Sequence, residues 1–210
     1  MKNMELAAPA DIRNRLLALA ALDIILCPEE QYRYYSFEPH WSPGVELFKI
    51  DNGSGDHMFI VLAAEGVIIK GFDHESALSP YANDDETVWT GIYDQVPAKL
   101  MSLLADEAIE QNVVTFCLWC EAGQAGWRKG DVLIPSGEDD GSAFLLGAII
   151  STADEYEEWA SHYYEMPIDR AAVEKVFAEG PLSLTAELIH ALNPDRDMAE
   201  VRKELQALGW

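Results

Sequence analysis

Three ionisable side chains follow one another directly in Asp73-His74-Glu75, just before Ser76. Asp, His and Glu are all competent metal ligands, and a histidine beside a carboxylate can serve as a general base. Consecutive side chains of a regular strand point to opposite faces, so at most Asp73 and Glu75, or His74 and a distant residue, share a side there. We favour the alternative that Asp73 and Ser76 form a hydrogen-bonded turn or cap after a strand.

Other motifs with chemical potential are incomplete. The segment 51–57 (DNGSGDH) has the composition of the start of a calcium loop, but such a loop needs about twelve residues and a bidentate Glu at its end. Cys117 and Cys120 form a CxxC pair that ends an apolar run. Their side chains face opposite sides of a regular strand, so we interpret them as buried structural cysteines. We therefore expect no metal and no cofactor, and we assign no catalytic residue.

Acidic residues dominate the charge of the chain. Its 210 residues include 37 acidic and 14 basic side chains, and the formal net charge is -23. The densest excess lies in residues 71–110, with nine acids and one base. Such a field repels nucleic acid phosphates and anionic lipid headgroups, and it attracts a basic protein.

An acidic pair within this stretch is surrounded by aromatic residues. Asp84 and Asp85 lie among Tyr81, Trp89 and Tyr93, a composition that suits the centre of a protein interface. The alternative, which we favour, is a solvated loop, because charged side chains are mostly exposed.

Hydrophobic periodicity and turn residues predict the elements that position these side chains. A helix is predicted over residues 9–22, followed by a β-prone run over 30–37 that Pro39 and Pro43 interrupt. Strands over 45–50, 58–62 and 67–72 are joined by short turns, which predicts an antiparallel meander. Residues 73–96 are predicted to be mostly loop. The other predicted elements are a helix over 97–110, a strand over 113–120, a loop-rich passage over 123–137, and helices over 142–150, 153–165, 169–178, 183–192 and 197–208. For the short apolar run 143–150, a buried strand is the alternative.

Strands in the first half and helices in the second predict an α+β fold, in which an antiparallel β-meander packs with helices and the second half is largely helical. No Gly/Ser-rich linker precedes residue 151, so we expect one domain over 1–210, with a helical C-terminal subdomain over 151–210 as the alternative. The sequence shows no signal-peptide pattern and no apolar run near the roughly 20 residues needed to cross a bilayer. We therefore expect a cytoplasmic protein.

Several strings together resemble small bacterial proteins of uncharacterised function. These strings are the turn at 51–56, residues 71–76, residues 115–120, and residues 159–165 ahead of Asn193-Pro194. Residues 9–72, a helix followed by strands with a Gly-Asp turn, also resemble immunity proteins of the SUKH superfamily. That resemblance implies a toxin-neutralising binder without catalysis, and no catalytic residue is carried over from it. The helical second half departs from the pattern.

Three functions are compatible with these observations. We rank first a non-enzymatic acidic binding protein, in its specific form an immunity-type inhibitor of a basic toxin. A structural or regulatory subunit that docks through its helical C-terminal part ranks second. A metal-assisted or acid–base hydrolase centred on Asp73, His74 and Glu75 ranks third.

The expected partner is a basic protein, and we expect neither nucleic acid nor membrane as a partner. The candidate binding residues are Asp73, His74, Glu75, Ser76, Tyr81, Asp84, Asp85, Trp89 and Tyr93.

Overall fold

The computed structural model describes residues 6, 8–180 and 184–209. Its strands are β1 (Tyr35–Ser42), β2 (Val45–Asp51), β3 (His57–Ala63), β4 (Gly66–Phe72), β5 (Phe116–Glu121) and β6 (Arg128–Lys129). Its α-helices are α1 (Pro9–Leu26), α2 (Ala98–Met101), α3 (Ser142–Gly147), α4 (Ala153–Tyr163), α5 (Arg170–Glu179), α6 (Ala186–Leu192) and α7 (Met198–Ala207). The strands form one sheet in chain order, and each neighbouring pair is antiparallel. The predicted α+β class, with a meander in the first half and a largely helical second half, is confirmed. Residue 183, where the helix predicted over 183–192 begins, lies outside the described residues.

The prediction of one helix over 97–110 is wrong. Helix α2 ends at Met101, and two 3₁₀ turns follow at Ser102–Leu104 and Glu107–Ile109. The Asp106 carboxylate accepts a hydrogen bond from the Ala108 N–H and so begins a separate turn. Aspartate competes with a continuing helix in this way because its short side chain reaches nearby backbone donors.

Two further differences concern the edges of the sheet. Strand β1 continues through Pro39, which was expected to interrupt it, and the pairing with β2 shifts register between Glu38 and Ser42. An edge strand tolerates proline because one side of its backbone has no partner strand. At the opposite edge, the passage predicted to be loop contains the two-residue strand β6.

Both faces of the sheet are buried. Because side chains alternate along each strand, they enter two separate hydrophobic clusters. Ile60, Ile69 and Phe116 belong to the first cluster, together with α1 and the C-terminal helices. Val61 and Ile68 belong to the second cluster, which the segment between β4 and β5 completes. Every residue of β4 is buried, as expected for a strand that is covered on both faces.

From Leu16 onward, helix α1 is buried around its whole circumference. All of its residues from Leu16 to Leu26 are buried, and the helix contacts β1, α5, α6 and α7. A helix of this kind lies in the core rather than on the surface. Among the described residues, no helix combines the length and the apolarity required to span a bilayer.

The C-terminal carbonyls of α1 find their partners in distant side chains. The Asn193 amide donates to the carbonyls of Ile25 and Leu26, at 3.1 and 3.2 Å, and Arg196 Nε donates to the Ile24 carbonyl at 3.2 Å. The last carbonyls of a helix have no partner within it, and leaving them buried without one is costly. The loop between α6 and α7 therefore completes α1.

Asp23 connects α1 to the first strand. Its carboxylate is fully buried and accepts the Tyr35 N–H at 2.7 Å, with the Tyr156 hydroxyl at 3.4 Å. Burial raises the pKa of Asp23 from 3.8 to about 7. The folded protein therefore holds a proton between pH 4 and 7 that the unfolded chain releases, so the Asp23 contribution to stability falls as pH rises through this window.

The substitution Asp23→Asn tests this assignment. Asparagine keeps an oxygen acceptor for the Tyr35 N–H but cannot titrate. We subtract the free energy of unfolding of Asp23→Asn from that of the wild type at each pH. We expect this difference to be smaller at pH 7.5 than at pH 5, by about 1–3 kcal/mol. Chemical denaturation at both pH values measures it, and Asp11→Asn, at an exposed position of the same helix, is the control. Parallel pH profiles of wild type and Asp23→Asn would contradict the assignment.

Lys70 is a second buried ionisable group, on the opposite face of the sheet. It is fully buried in β4, and Nζ lies 3.1 Å from His57 Nε2 and donates to the Ile109 carbonyl at 3.1 Å. The centroid of the Phe59 ring is 5.1 Å away. Burial lowers the pKa of Lys70 from 10.5 to about 7, and burial together with the Lys70 charge lowers that of His57 to about 4.

Replacing Lys70 by methionine should stabilise the protein at neutral pH. Between pH 7 and 10.5 the unfolded chain binds a proton that the folded protein releases, so wild-type stability rises with pH across this window. We expect Lys70→Met to raise the free energy of unfolding at pH 7 by about 1–3 kcal/mol, with a smaller gain at pH 9.5. Lys99→Met, at an exposed site on α2, is the matched control. A gain that does not change with pH would refute the titration of Lys70.

Candidate functional site

The first candidate site begins with the turn between β2 and β3. Asn52 Nδ2 donates to Asp56 Oδ2 at 2.7 Å, and the Asp56 N–H donates back to Asn52 Oδ1 at 3.1 Å. This reciprocal pair closes the turn and fixes the Asp56 carboxylate, which is buried. The segment 51–57 has the composition of the start of a calcium loop. Its turn is therefore held by hydrogen bonds between its own residues.

Asp56 orients His74. One carboxylate oxygen, Oδ1, accepts the His74 backbone N–H at 2.9 Å and lies 2.6 Å from His74 Nδ1. This hydrogen bond and the charge of Asp56 raise the pKa of His74, whose side chain is 47% exposed. Burial opposes ionisation of Asp56, but the hydrogen bonds from His74 and Asn52 hold its pKa below the ordinary value. The imidazole is thus positioned on one nitrogen and open to solvent.

The segment that follows β4 is a hydrogen-bonded turn. Asp73 Oδ1 accepts the Glu75 N–H at 2.9 Å, and the Asp73 N–H donates to Thr115 Oγ1 at 3.2 Å. Ser76 Oγ accepts the N–H of Leu78 and donates to the Asp139 carbonyl at 2.8 Å. These contacts join the segment to the loop that precedes α3.

Gly141 allows this loop to approach closely. Its φ is +74°, in the left-handed region, and a Cβ added there would lie 2.3 Å from the Asp73 Cβ. Only glycine satisfies both conditions, because other residues rarely adopt this conformation and would clash with Asp73. The position of Asp73 therefore depends on a residue 68 positions away in the sequence.

The structure brings together a different set of ligands from the set that the sequence suggested. Asp56, Asp73 and His74 each offer an atom within 4.8 Å of the others, whereas Glu75 is not in this group and is exposed. An aspartate–histidine pair of this geometry can support general-base chemistry. Among the described residues, however, no hydroxyl or thiol hydrogen-bonds to His74 as a nucleophile would. The hydrolase interpretation stays a prediction.

Asp56 could have been found from the meander itself. Strands β3 and β4 pair with His57 opposite Phe72, so the residues just outside this pair, Asp56 and Asp73, are adjacent. The available signal was the antiparallel meander predicted for the strands over 58–62 and 67–72, which places the start of the first strand beside the end of the second.

The second candidate site is a surface formed by residues 81–89 and 131–134, which we call the acidic face. The Trp89 indole N–H donates to the Leu133 carbonyl at 3.2 Å, and Gln95 Nε2 donates to Asp131 Oδ2 at 2.6 Å, so the two segments are joined. Between them lies a cavity of about 420 Å³. Its lining residues are Asn83, Asp85, Thr87, Val88, Trp89, Thr90, Asp131 and Leu133.

Large apolar side chains of the acidic face are exposed to solvent. Leu133 is 86% exposed, Tyr81 64% and Ile134 37%. Tyr81 keeps one edge-to-face contact, with Phe72 at 5.9 Å between ring centroids. Tyr93 differs from its neighbours, because it packs against the second core cluster and its hydroxyl donates to the Gln111 carbonyl.

The charge of this surface has one sign. Residues 81–89 contain three acids and no base, and residues 131–134 contain one acid and no base. The structure thus joins two acidic segments that are far apart in the sequence. Sequence reasoning identified Tyr81, Asp84, Asp85 and Trp89, but missed Asp131, Leu133 and Ile134. The apolar run 132–134 within a loop-rich passage was the signal for the missed residues.

The Asp56–His74 pair is directly testable by NMR. We expect His74 to titrate above the ordinary value of 6.5 in the wild type and to move down towards that value in Asp56→Asn. The cause is the loss of a negative charge and of the hydrogen-bond acceptor for the protonated ring. Side-chain NMR titration of the five histidines measures this change, with exposed His190 as the internal control. An unchanged His74 pKa in Asp56→Asn would show that the pair does not form.

Comparison of the chain with protein-family models, with curated proteins and with solved structures found no match. The resemblance of residues 9–72 to immunity proteins of the SUKH superfamily stays a prediction. The geometry of the Asp56–His74 pair and of the acidic face is what supports a function.

Proposed function

We propose that this chain is a non-enzymatic binding protein that docks a basic partner protein on its acidic face. The observation that carries the proposal is the exposure of Tyr81, Leu133 and Ile134 on a surface whose two segments contain four acids and no base. Leu133 also lines the cavity between the two segments. Exposure of large apolar side chains to water is unfavourable. Burial of these side chains by a partner becomes favourable when the partner also carries basic groups that face the surrounding acids.

The cavity supports a specific mode of contact. The Trp89 side chain, Asp85 and Asp131 line the same cavity. A lysine or arginine of a partner can place its charge beside these carboxylates and its aliphatic stem against the indole. Leu133, which also lines the cavity, then excludes water from the contact, as the apolar surround of an interface hot spot does.

The charge of the whole chain favours rapid association with such a partner. A net charge of -23 steers a basic protein over distances near the Debye length, about 10 Å at 0.1 M salt. An immunity-type inhibitor of a basic toxin, such as a nuclease, is the specific form of this function that we propose. It is supported by the charge and by the predicted SUKH resemblance.

Charge-matched variants separate docking on the acidic face from nonspecific attraction to an acidic protein. The face variant carries Asp84→Asn, Asp85→Asn and Asp131→Asn. The control variant carries Glu158→Gln, Glu174→Gln and Glu187→Gln, which are exposed positions on α4, α5 and α6. Both variants have the same net charge, so a difference in binding reports location alone.

We expect an amphipathic basic peptide of alternating arginine and leucine to bind the wild type and the control variant with similar affinity. Binding to the face variant should be weaker by about tenfold or more, because the lost carboxylates lie at the contact. Leu133→Ser should weaken binding at high salt as well, where screening removes the steering. Fluorescence anisotropy at 50 and 300 mM salt measures these affinities. Equal losses in the face and control variants would refute docking at this surface.

A further inference from the structure

A larger cavity, separate from the acidic face, lies on the other side of the sheet. It has a volume of about 1390 Å³ and lies among α1, the end of α3, α4 and the end of α5. Its aromatic lining consists of Tyr34, Phe144, Trp159 and Phe177. Phe144 is 60% exposed. Cavities that are mainly apolar, with a few polar groups, are the usual sites of small ligands.

Arg15 lines this cavity without a partner for one of its donors. Its Nη1 atom is buried and has no hydrogen bond, and its guanidinium carbon lies 4.5 Å from the centroid of the Phe177 ring. Within the described residues no carboxylate forms an ion pair with Arg15. Burial lowers the pKa of this guanidinium, so its charge is partly desolvated and uncompensated.

Five of the other six arginines form an ion pair with a carboxylate. The sixth, Arg202, is exposed and has no ion pair within the described residues. Arg13, two residues from Arg15, donates to both carboxylate oxygens of Glu46 at 2.6 Å. Carboxylates also pair with Arg33, Arg128, Arg170 and Arg196. In a chain with 37 acids, an arginine that lines a cavity, has no carboxylate partner and keeps a buried donor without a hydrogen bond indicates a missing anion.

We propose that this cavity binds a small organic monocarboxylate with an apolar or aromatic body. The carboxylate accepts hydrogen bonds from the Arg15 guanidinium, whose planar fork matches its two oxygens. The body packs against Trp159 and Phe177. Because Nη1 is covered in the present conformation, the Arg15 side chain changes rotamer when the ligand enters.

The charges around the cavity favour one negative charge over two. Asp11, Glu155 and Glu179 also line it, and Glu46 is already paired with Arg13. A single uncompensated guanidinium balances a monoanion, whereas a phosphate with two charges is repelled by the neighbouring carboxylates. The proposal concerns residues apart from the acidic face, so it stands or falls independently of the basic-partner function.

Calorimetric titration with matched probes tests the site. We use 4-phenylbutyrate, octanoate and indole-3-acetate as carboxylate probes, and 4-phenylbutan-1-ol as the neutral analogue of the first. We expect saturable 1:1 binding of at least one carboxylate at pH 7. Since the alcohol lacks the charge and the second acceptor, we expect it to bind at least about tenfold more weakly than 4-phenylbutyrate. If none of the three carboxylates binds saturably up to millimolar concentration, the proposal is wrong.

Arginine variants locate the binding. Arg15→Gln should weaken carboxylate binding by about tenfold or more. Arg15→Lys should retain part of the affinity, because lysine keeps the positive charge but lacks the two parallel donors of the guanidinium. Arg170→Gln is the matched control, since Arg170 is exposed, pairs with Asp154 and does not line the cavity. Circular dichroism verifies that each variant is folded, and the face variant should bind the carboxylate as the wild type does. Unchanged affinity in folded Arg15→Gln or Arg15→Lys, relative to Arg170→Gln, would overturn the proposal.

Discussion

The burial of the C-terminal half of α1 is the constraint on which much of the structure depends. A helix that ends inside a protein presents backbone carbonyls that need donors, and here Asn193 and Arg196 supply them. Asp23, in the same helix, holds the start of β1 through the Tyr35 N–H. One buried helix thus connects the sheet to the loop between α6 and α7. Buried residues of α3, α4, α5, α6 and α7 belong to the same hydrophobic cluster as α1.

This arrangement also sets the two surfaces with functional potential. The helices that cover α1 leave the large cavity between α1, α4 and α5, with Arg15 on its wall. On the opposite face of the sheet, the segment between β4 and β5 covers the second cluster and presents the acidic face. Covering a sheet on both sides therefore creates two surfaces of different chemistry, an aromatic cavity with a cation and an acidic surface with exposed apolar groups.

Buried ionisable groups show the cost of this packing. Asp23 and Lys70 lie on opposite faces of the sheet, and burial moves their pKa values in opposite directions, each to about 7. Both shifts favour the neutral form, as expected where a charge leaves water without an ion-pair partner. Buried Asp56 and half-exposed His74 behave differently, because the hydrogen bond between them favours their charged forms.

The sequence by itself determined the class of the fold and the local structure. Short apolar runs joined by turn residues over 45–72 specified the meander. Helical periodicity specified α1 as far as residue 22 and the C-terminal helices, and the turn chemistry of Asp73 and Ser76 specified the segment after β4. These features depend on neighbours in the chain, so a local pattern encodes them. The segment over 97–110 escaped the same reasoning, since Asp106 and the contact of Lys70 with the Ile109 carbonyl override its helical pattern.

Only the tertiary structure decided which distant groups meet. Asp56, rather than Glu75, hydrogen-bonds to the His74 ring. The segment that contains Asp131 and Leu133 meets Trp89. Arg13 pairs with a carboxylate, whereas Arg15 has none within the described residues. One domain over 1–210, with a helical subdomain over 151–210 as the alternative, stays a prediction. The helices of 151–210 share a core cluster with the sheet. The physical reason is that partner choice depends on strand register, helix packing and burial, which arise from contacts far apart in sequence and leave no periodic signal.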